Sequence, residues 1–135
     1  MKSLVVALLM TAISVACFAQ DSAEYRACSE KANTQSEMTA CASDEAARVD
    51  ANLNATYRAL LARVASQPEA LAKIKAAQKA WIAYRDAYIE ATYPARDKAT
   101  EYGSIYPLEV TLLRAKVTQR QLAALEDMLQ RYAPK

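Results

Sequence analysis

The sequence of 135 residues contains no histidine and only one glycine. Histidine is the commonest general base and a frequent metal ligand, so its absence excludes the usual catalytic triads and most zinc sites. A single glycine cannot build a glycine-rich phosphate-binding loop. A carboxylate pair remains a route to acid–base chemistry, and Asp50 with Asp86 is the best such pair, although nothing in the sequence sets their separation. We therefore predict a protein that is not an enzyme and that uses no cofactor.

Cysteine is also scarce, with residues at positions 17, 28 and 41 only. Cys28 and Cys41 follow the N-terminal segment, and an even pair in an oxidising compartment predicts one disulfide. Closing a loop of about 14 residues in this way would stabilise the fold by about 3 kcal/mol. The alternative is a metal site, for which two thiolates without a histidine are a poor ligand set.

Residues 1–19 have the order of features of an export signal. Lys2 precedes an apolar run at 4–15, and Cys17 and Ala19 place small residues where a signal peptidase reads them. The run is shorter than the roughly 20 residues of a permanent membrane span. Two alternatives stay open, a buried N-terminal helix and a lipoprotein anchored through Cys17, although Ser14 stands where a large aliphatic residue is usual. We predict a signal peptide at 1–19, one domain at 20–135, and a periplasmic or secreted protein.

Neither sign of charge is in excess, since 17 basic and 15 acidic residues leave a net charge of +2. Lys2 contributes one of these charges and would leave with the signal peptide. So small a charge argues neither for nucleic acid nor for an anionic membrane surface as the partner, and we predict no nucleic-acid binding and no integral membrane span.

Helix-forming residues dominate the rest of the chain, and no alternating β-branched run of strand length occurs. We predict an all-α, antiparallel bundle of about four helices, with two long central helices, a short disulfide-linked first helix and a C-terminal helix. The sequence from Thr34 to Glu37 has the form of a capping box. The predicted helices cover 22–31, 34–65, 68–92 and 107–132, with a possible short turn of helix at 95–101.

One face of the third helix combines apolar residues with an amide and a guanidinium. Gln78, Trp81 and Arg85 recur at helical spacing, and a buried Arg must be paired. The predicted partners lie on the second helix at Asp50 and Asn54. We interpret the set as a buried polar clasp between the two helices, and a ligand site is the alternative. The six clasp residues are Asp50, Asn54, Tyr57, Gln78, Trp81 and Arg85.

Tyrosines crowd around the one clear loop, which contains the single glycine. Tyrosine is favoured at protein–protein interfaces, because it buries area while keeping a polar tip. Simple packing at the end of the bundle explains the pattern equally well. The candidate partner-binding loop consists of Tyr102, Gly103, Ser104 and Tyr106.

Taken in order, these landmarks resemble the LprI-type lysozyme-inhibitor family, whose N-terminal domain is a small exported helical module. The similarity covers about residues 25–126. The matching residues are Cys28, Thr34, Gln35, Ser36, Glu37, Met38, Cys41, Asp50, Leu53, Asn54, Tyr57, Leu60, Ala77, Gln78, Ala80, Trp81, Tyr84, Arg85, Asp86, Gly103, Ser104, Thr118 and Arg120.

The resemblance implies a binding protein that inhibits a peptidoglycan-cleaving lysozyme, with a lysozyme or another envelope protein as its partner. The alternative is a structural or assembly helper of the cell envelope without lysozyme contact. Members of the family often carry a second cysteine pair, and Ile89 and Leu113 stand at the aligned positions. We predict that these two aliphatic side chains touch in place of that disulfide.

Overall fold

The computed structural model describes residues 21–133, which form helices joined by short turns, with no strand in that range. This confirms the predicted all-α fold. The ends of the four predicted helices agree to within two residues, and α4 begins three residues later than the predicted short turn of helix. The predicted signal peptide, with Cys17, lies outside the described residues. The elements are α1 (Ala23–Ser29), α2 (Gln35–Arg63), α3 (Pro68–Thr92), α4 (Lys98–Tyr102), a 3-10 turn (Gly103–Ile105) and α5 (Tyr106–Arg131).

The capping box at the start of α2 is confirmed. The backbone N–H of Glu37 donates to Oγ1 of Thr34 at 3.2 Å, and the backbone N–H of Thr34 donates to the Glu37 carboxylate at 3.0 Å. The same carboxylate accepts from the backbone N–H of Asn33 at 2.7 Å. These backbone hydrogen bonds, led by that from Asn33, lower the pKa of Glu37. They also provide partners for amides that the helix itself leaves unpaired.

A disulfide between Cys28 and Cys41 holds α1 on α2, as predicted. The Cα atoms of the two cysteines are 5.7 Å apart. A seven-residue helix is too short to be stable alone. Tyr25 is the buried residue of α1 and belongs to the core. The Ser22 hydroxyl donates to the Glu45 carboxylate on α2 at 2.7 Å. The covalent link, the buried ring and this hydrogen bond together fix α1.

The helix that packs most closely against α2 is α5, and the two run parallel. At one end Gln35 is hydrogen-bonded to Ser104, and at the other Arg63 Nη1 donates to the Tyr132 carbonyl at 3.4 Å. The sequence analysis had instead taken helices two and three as the central pair. The physical reason for the difference is that α3 buries only three of its residues, whereas α2 buries five and α5 buries six.

The core consists of two clusters at opposite ends of the α2–α5 pair. Between the two clusters, α5 buries the small side chains of Ala115 and Thr118, which permit close approach of α2 and α5. The cluster near the disulfide contains Tyr25, Cys41, Ala42 and Leu108. The cluster near the α2–α3 turn contains Leu53, Leu60, Val64, Ile74, Leu122 and Leu125.

Helix α3 returns antiparallel to α5 along one side of the bundle. Gln121 Nε2 donates to Gln78 Oε1 at 2.9 Å, and Arg114 Nη1 lies 3.9 Å from Asp86 Oδ1. Ile89 is buried and Leu113 is half-buried. The register set by these contacts brings both to the same level, and their contact remains a prediction.

Candidate functional site

The polar residues predicted on α2 do not form the expected clasp. Asp50 and Asn54 are both exposed, and Asn54 Nδ2 donates to Asp50 Oδ2 at 2.9 Å within the helix. Because α5 rather than α3 covers the apolar face of α2, this pair is left facing solvent. The prediction that Asp50 and Asn54 are buried partners of Arg85 is therefore wrong. Tyr57 is half-buried and packs against the core cluster near the α2–α3 turn.

Arg85 is largely buried, as predicted, but its partner is its neighbour in the chain. Its guanidinium lies 2.8 Å from the carboxylate of Asp86, and the two side chains are 17% and 55% exposed. The same guanidinium lies over the Trp81 ring, 5.3 Å from its centroid, at cation–π distance. The stem of the arginine is thus packed while its charge meets a hydrated carboxylate.

Gln78 forms a buried polar contact between two long helices, as predicted for the clasp, but the contact joins α3 to α5 and not to α2. It is 7% exposed, and its partner Gln121 belongs to α5. The sequence analysis did not single out Gln121, since an amide on a helix surface carries no signal of its own. It named Asp86 for a carboxylate pair with Asp50, but not as the partner of Arg85. Of the six clasp residues, the structure thus brings Trp81 together with Arg85 and, separately, Asp50 together with Asn54. Tyr57 and Gln78 each contact residues outside the set.

The candidate loop is ordered by the N-terminus of α2. Gly103 has φ +69°, a conformation that L side chains rarely adopt. The turn brings Ser104 against Gln35, whose side-chain amide donates to the Ser104 carbonyl, while the Ser104 hydroxyl lies 3.3 Å from Gln35 Oε1. The loop is therefore fixed to the end of the α2–α5 pair.

Two of the four candidate loop residues belong to a tyrosine cluster. The rings of Tyr93, Tyr102 and Tyr106 lie within 5.2–5.8 Å of one another, centroid to centroid. Tyr102 Oη accepts from the Ala95 backbone N–H at 3.1 Å. Burial, and next the nearby Glu109 carboxylate, raises the pKa of Tyr93. These half-buried rings serve packing at the α3–α5 junction, which leaves Gly103 and Ser104 as the exposed part of the predicted loop.

Sequence reasoning missed the exposed apolar residue in this loop. Ile105 is 41% exposed, and Met38, one helical turn beyond Gln35 on α2, is 36% exposed. Periodicity could not find either residue, because which side of a helix is covered depends on the neighbour that packs there.

Charge is divided unevenly between the two parts of the chain. Residues 21–50, which include α1 and the first half of α2, contain seven acidic and three basic residues. Residues 51–133 contain eight acidic and twelve basic residues. The small net charge of the whole chain conceals an acidic N-terminal hairpin at the same end of the bundle as the loop.

Within residues 21–133, no group of three or more cysteine or carboxylate side chains is arranged to hold a metal ion. None of the helices described over that range is long and apolar enough to cross a membrane.

The chain is similar to the uncharacterised protein R02472 of Rhizobium meliloti (strain 1021). The two sequences are 33% identical over 112 residues, which cover 74% of this chain and 77% of the relative. No solved structure matches the chain significantly. The family model described as lysozyme inhibitor LprI matches residues 27–125, from just before the disulfide to the last core layer of α5. The chain therefore belongs to the LprI lysozyme-inhibitor family.

Proposed function

We propose that this chain is an exported binding protein that inhibits a peptidoglycan-cleaving lysozyme by direct protein–protein contact. The observation that carries the proposal is the family match over residues 27–125. The disulfide and the signal-like order of residues 1–19 support export, since disulfides persist in oxidising compartments.

The contact surface that we propose is the end of the bundle that carries the loop. Ser104 and Ile105 project there, and Met38 lies on the adjoining turn of α2. An exposed apolar side chain on an ordered backbone is the kind of residue that anchors a protein interface. The hydrogen bonds between Gln35 and Ser104 hold the loop in one conformation, which reduces the entropy lost on binding.

The charge at this end supports the same partner. Vertebrate-type lysozymes are strongly basic, and complementary charge speeds association and selects the partner. Glu24 and Asp44 line a groove beside the disulfide, together with the ion pair of Glu45 and Arg48. A basic enzyme approaching the acidic hairpin would meet Ile105 beside it.

The test compares two isoleucines of nearly equal exposure. Ile105 is 41% exposed in the loop, and Ile82 is 43% exposed on α3. Lysozyme activity is measured on an uncharged, soluble chito-oligosaccharide, with increasing amounts of the mature domain. We expect Ile105→Ala to raise the inhibition constant by about tenfold, the loss typical of an interface anchor, and to leave the Tm unchanged. Ile82→Ala is the matched control and should inhibit like the parent.

Absence of inhibition at a large molar excess of the parent chain would remove the proposal and favour an envelope assembly role. Inhibition that Ile82→Ala weakens as much as Ile105→Ala would place the contact elsewhere on the molecule. Ser104→Ala should have a smaller effect than Ile105→Ala, because it removes one weak hydrogen bond to Gln35 and little apolar area.

A further inference from the structure

A second surface, formed by α3 and α5, combines exposed aromatic rings with guanidinium groups. On α3, Trp81, Tyr84, Arg85 and Tyr88 recur at i, i+3, i+4 and i+7 and so share one helix face. Tyr84 is 58% exposed and Tyr88 is 37% exposed, and their rings lie 5.8 Å apart at a tilt of 32°. Neither ring belongs to a core cluster of the described residues, so the packing of the fold does not account for their size.

Helix α5 supplies the opposite wall. A shallow groove of about 150 Å³ runs between the two helices, lined by Trp81, Tyr84, Val117, Arg120 and Gln121. Val117, which is buried, forms its floor. The groove therefore has rings on one side, a guanidinium and an amide on the other, and an apolar residue beneath. A few placed polar groups among aromatic walls are characteristic of small ligand sites.

Positive charge exceeds negative charge around this groove. Arg120 lines it, and Arg85 lies over the ring of Trp81, which also lines it. Arg114 approaches the carboxylate that Arg85 holds, that of Asp86. Asp86 contacts both Arg85 and Arg114. Over residues 21–133, no side-chain hydrogen bond or ion pair engages the guanidinium of Arg120. A planar fork of donors in this position is suited to a carboxylate, which it holds through two parallel hydrogen bonds.

We propose that this ring-and-guanidinium groove binds a glycan strand that carries carboxylated peptide side chains, which is the chemistry of peptidoglycan. Tyr84 and Trp81 provide flat apolar surface for a sugar ring, Gln121 provides an amide for its hydroxyl groups, and Arg120 holds a peptide carboxylate. The choice of peptidoglycan over another acidic glycan rests on the proposed function, which places the chain beside the substrate of lysozyme. An acidic protein would need an apolar contact area of several hundred Å², whereas most other outward positions of α3 are alanine or charged.

This binding would hold the inhibitor at the wall, where its enzyme acts. The groove and the loop lie on different elements, so both can be occupied together. Two weak contacts on one molecule raise the effective concentration of one partner near the other.

The experiment is co-sedimentation of the full mature chain with protein-free peptidoglycan sacculi. We expect the chain to pellet with the sacculi, and Arg120→Ala and Tyr84→Ala each to weaken binding by about tenfold. Arg120→Lys should recover only part of the loss, because an ammonium keeps the charge without the fork.

Matched controls come from the same chain. Arg58 on α2 is exposed and has no ion pair among the described residues, so Arg58→Ala removes the same charge elsewhere. Ile82 lies about 100° around α3 from Trp81, so Ile82→Ala removes apolar area from another face. Both variants should bind sacculi like the parent.

Four outcomes would overturn the proposal. One is failure of the parent chain to pellet, and another is equal loss in the Arg58→Ala and Arg120→Ala variants. The third is undiminished binding to sacculi whose carboxyl groups have been amidated, which would indicate a ligand of sugar alone. The fourth is equal binding to polyglutamate, which would indicate an acidic polypeptide as the ligand. Failure here is distinguishable from failure of the proposed function, because Arg120→Ala should still inhibit lysozyme on the uncharged soluble substrate.

Discussion

Replacing Arg85 by alanine measures how much this side chain contributes to stability. Its aliphatic stem is mostly buried, while its charge is paired with the solvent-exposed carboxylate of Asp86. The ion pair with Asp86 has one partner that is 55% exposed, so it contributes at most about 1 kcal/mol. The contact with the Trp81 ring adds about 0.5–1 kcal/mol, and the higher helix propensity of alanine offsets a few tenths. We expect Arg85→Ala to lower the free energy of unfolding by about 1–2 kcal/mol.

Urea denaturation followed by circular dichroism gives this quantity directly. Arg85→Met keeps most of the apolar stem and should lose less than Arg85→Ala, whereas Asp86→Asn should lose least. A loss of about 3–5 kcal/mol for Arg85→Ala is the cost of leaving a buried charge alone. That result would refute the placement of Asp86 as the partner and would restore a partner buried between the helices.

Three further predictions concern the elements that hold the fold together. Reducing the bond between Cys28 and Cys41 should lower the free energy of unfolding by about 3 kcal/mol, measured by urea denaturation with and without reductant; a change below about 1 kcal/mol would mean that α1 holds without it. Leu60→Ala should cost about 2–5 kcal/mol, because Leu60 is 0% exposed in the larger core cluster, and a tolerated substitution would show that this cluster is loosely packed. The lowered pKa of Glu37 means that its contribution is present above its unfolded pKa and is lost as the pH falls through the folded value. Glu37→Gln should therefore flatten the acid side of the pH–stability profile, as Thr34→Ala should do in part, and unchanged profiles would argue against the capping box.

Local features of the fold were predictable because their causes are local. Proline at position 68 marks the start of α3, Thr34 and Glu37 cap α2, and an even pair of cysteines gives the disulfide. Each of these signals acts within a few residues, so a linear sequence contains it in full.

The helix that covers α2 was harder to predict, because the answer depends on comparing the apolar faces of two helices that are far apart in the sequence. Both α3 and α5 carry an apolar stripe, and only their relative strength decides which one covers α2. Arg85 shows the same limit at one residue. Its burial follows from its position on a helix face, but the choice between Asp50 and the adjacent Asp86 depends on how the helices pack.

The candidate interaction surfaces divide in the same way. Gly103 marked the loop, since a single glycine beside proline and tyrosines is a turn signal. Ile105 and Met38 had no such mark, because a solvent-exposed aliphatic residue looks like a core residue until the covering helix is known.

The pairing of α2 with α5 has a consequence for how the chain acquires its structure. The residues that meet at the Gln35 end of this pair are 69 positions apart, and so are those at the Arg63 end. A polypeptide that emerges N-terminus first therefore carries the apolar stripe of α2 uncovered until nearly the last segment has appeared. Loop-closure entropy delays such distant contacts. A fragment that stops before Tyr106 should therefore be partly helical, prone to aggregation and easily digested by protease.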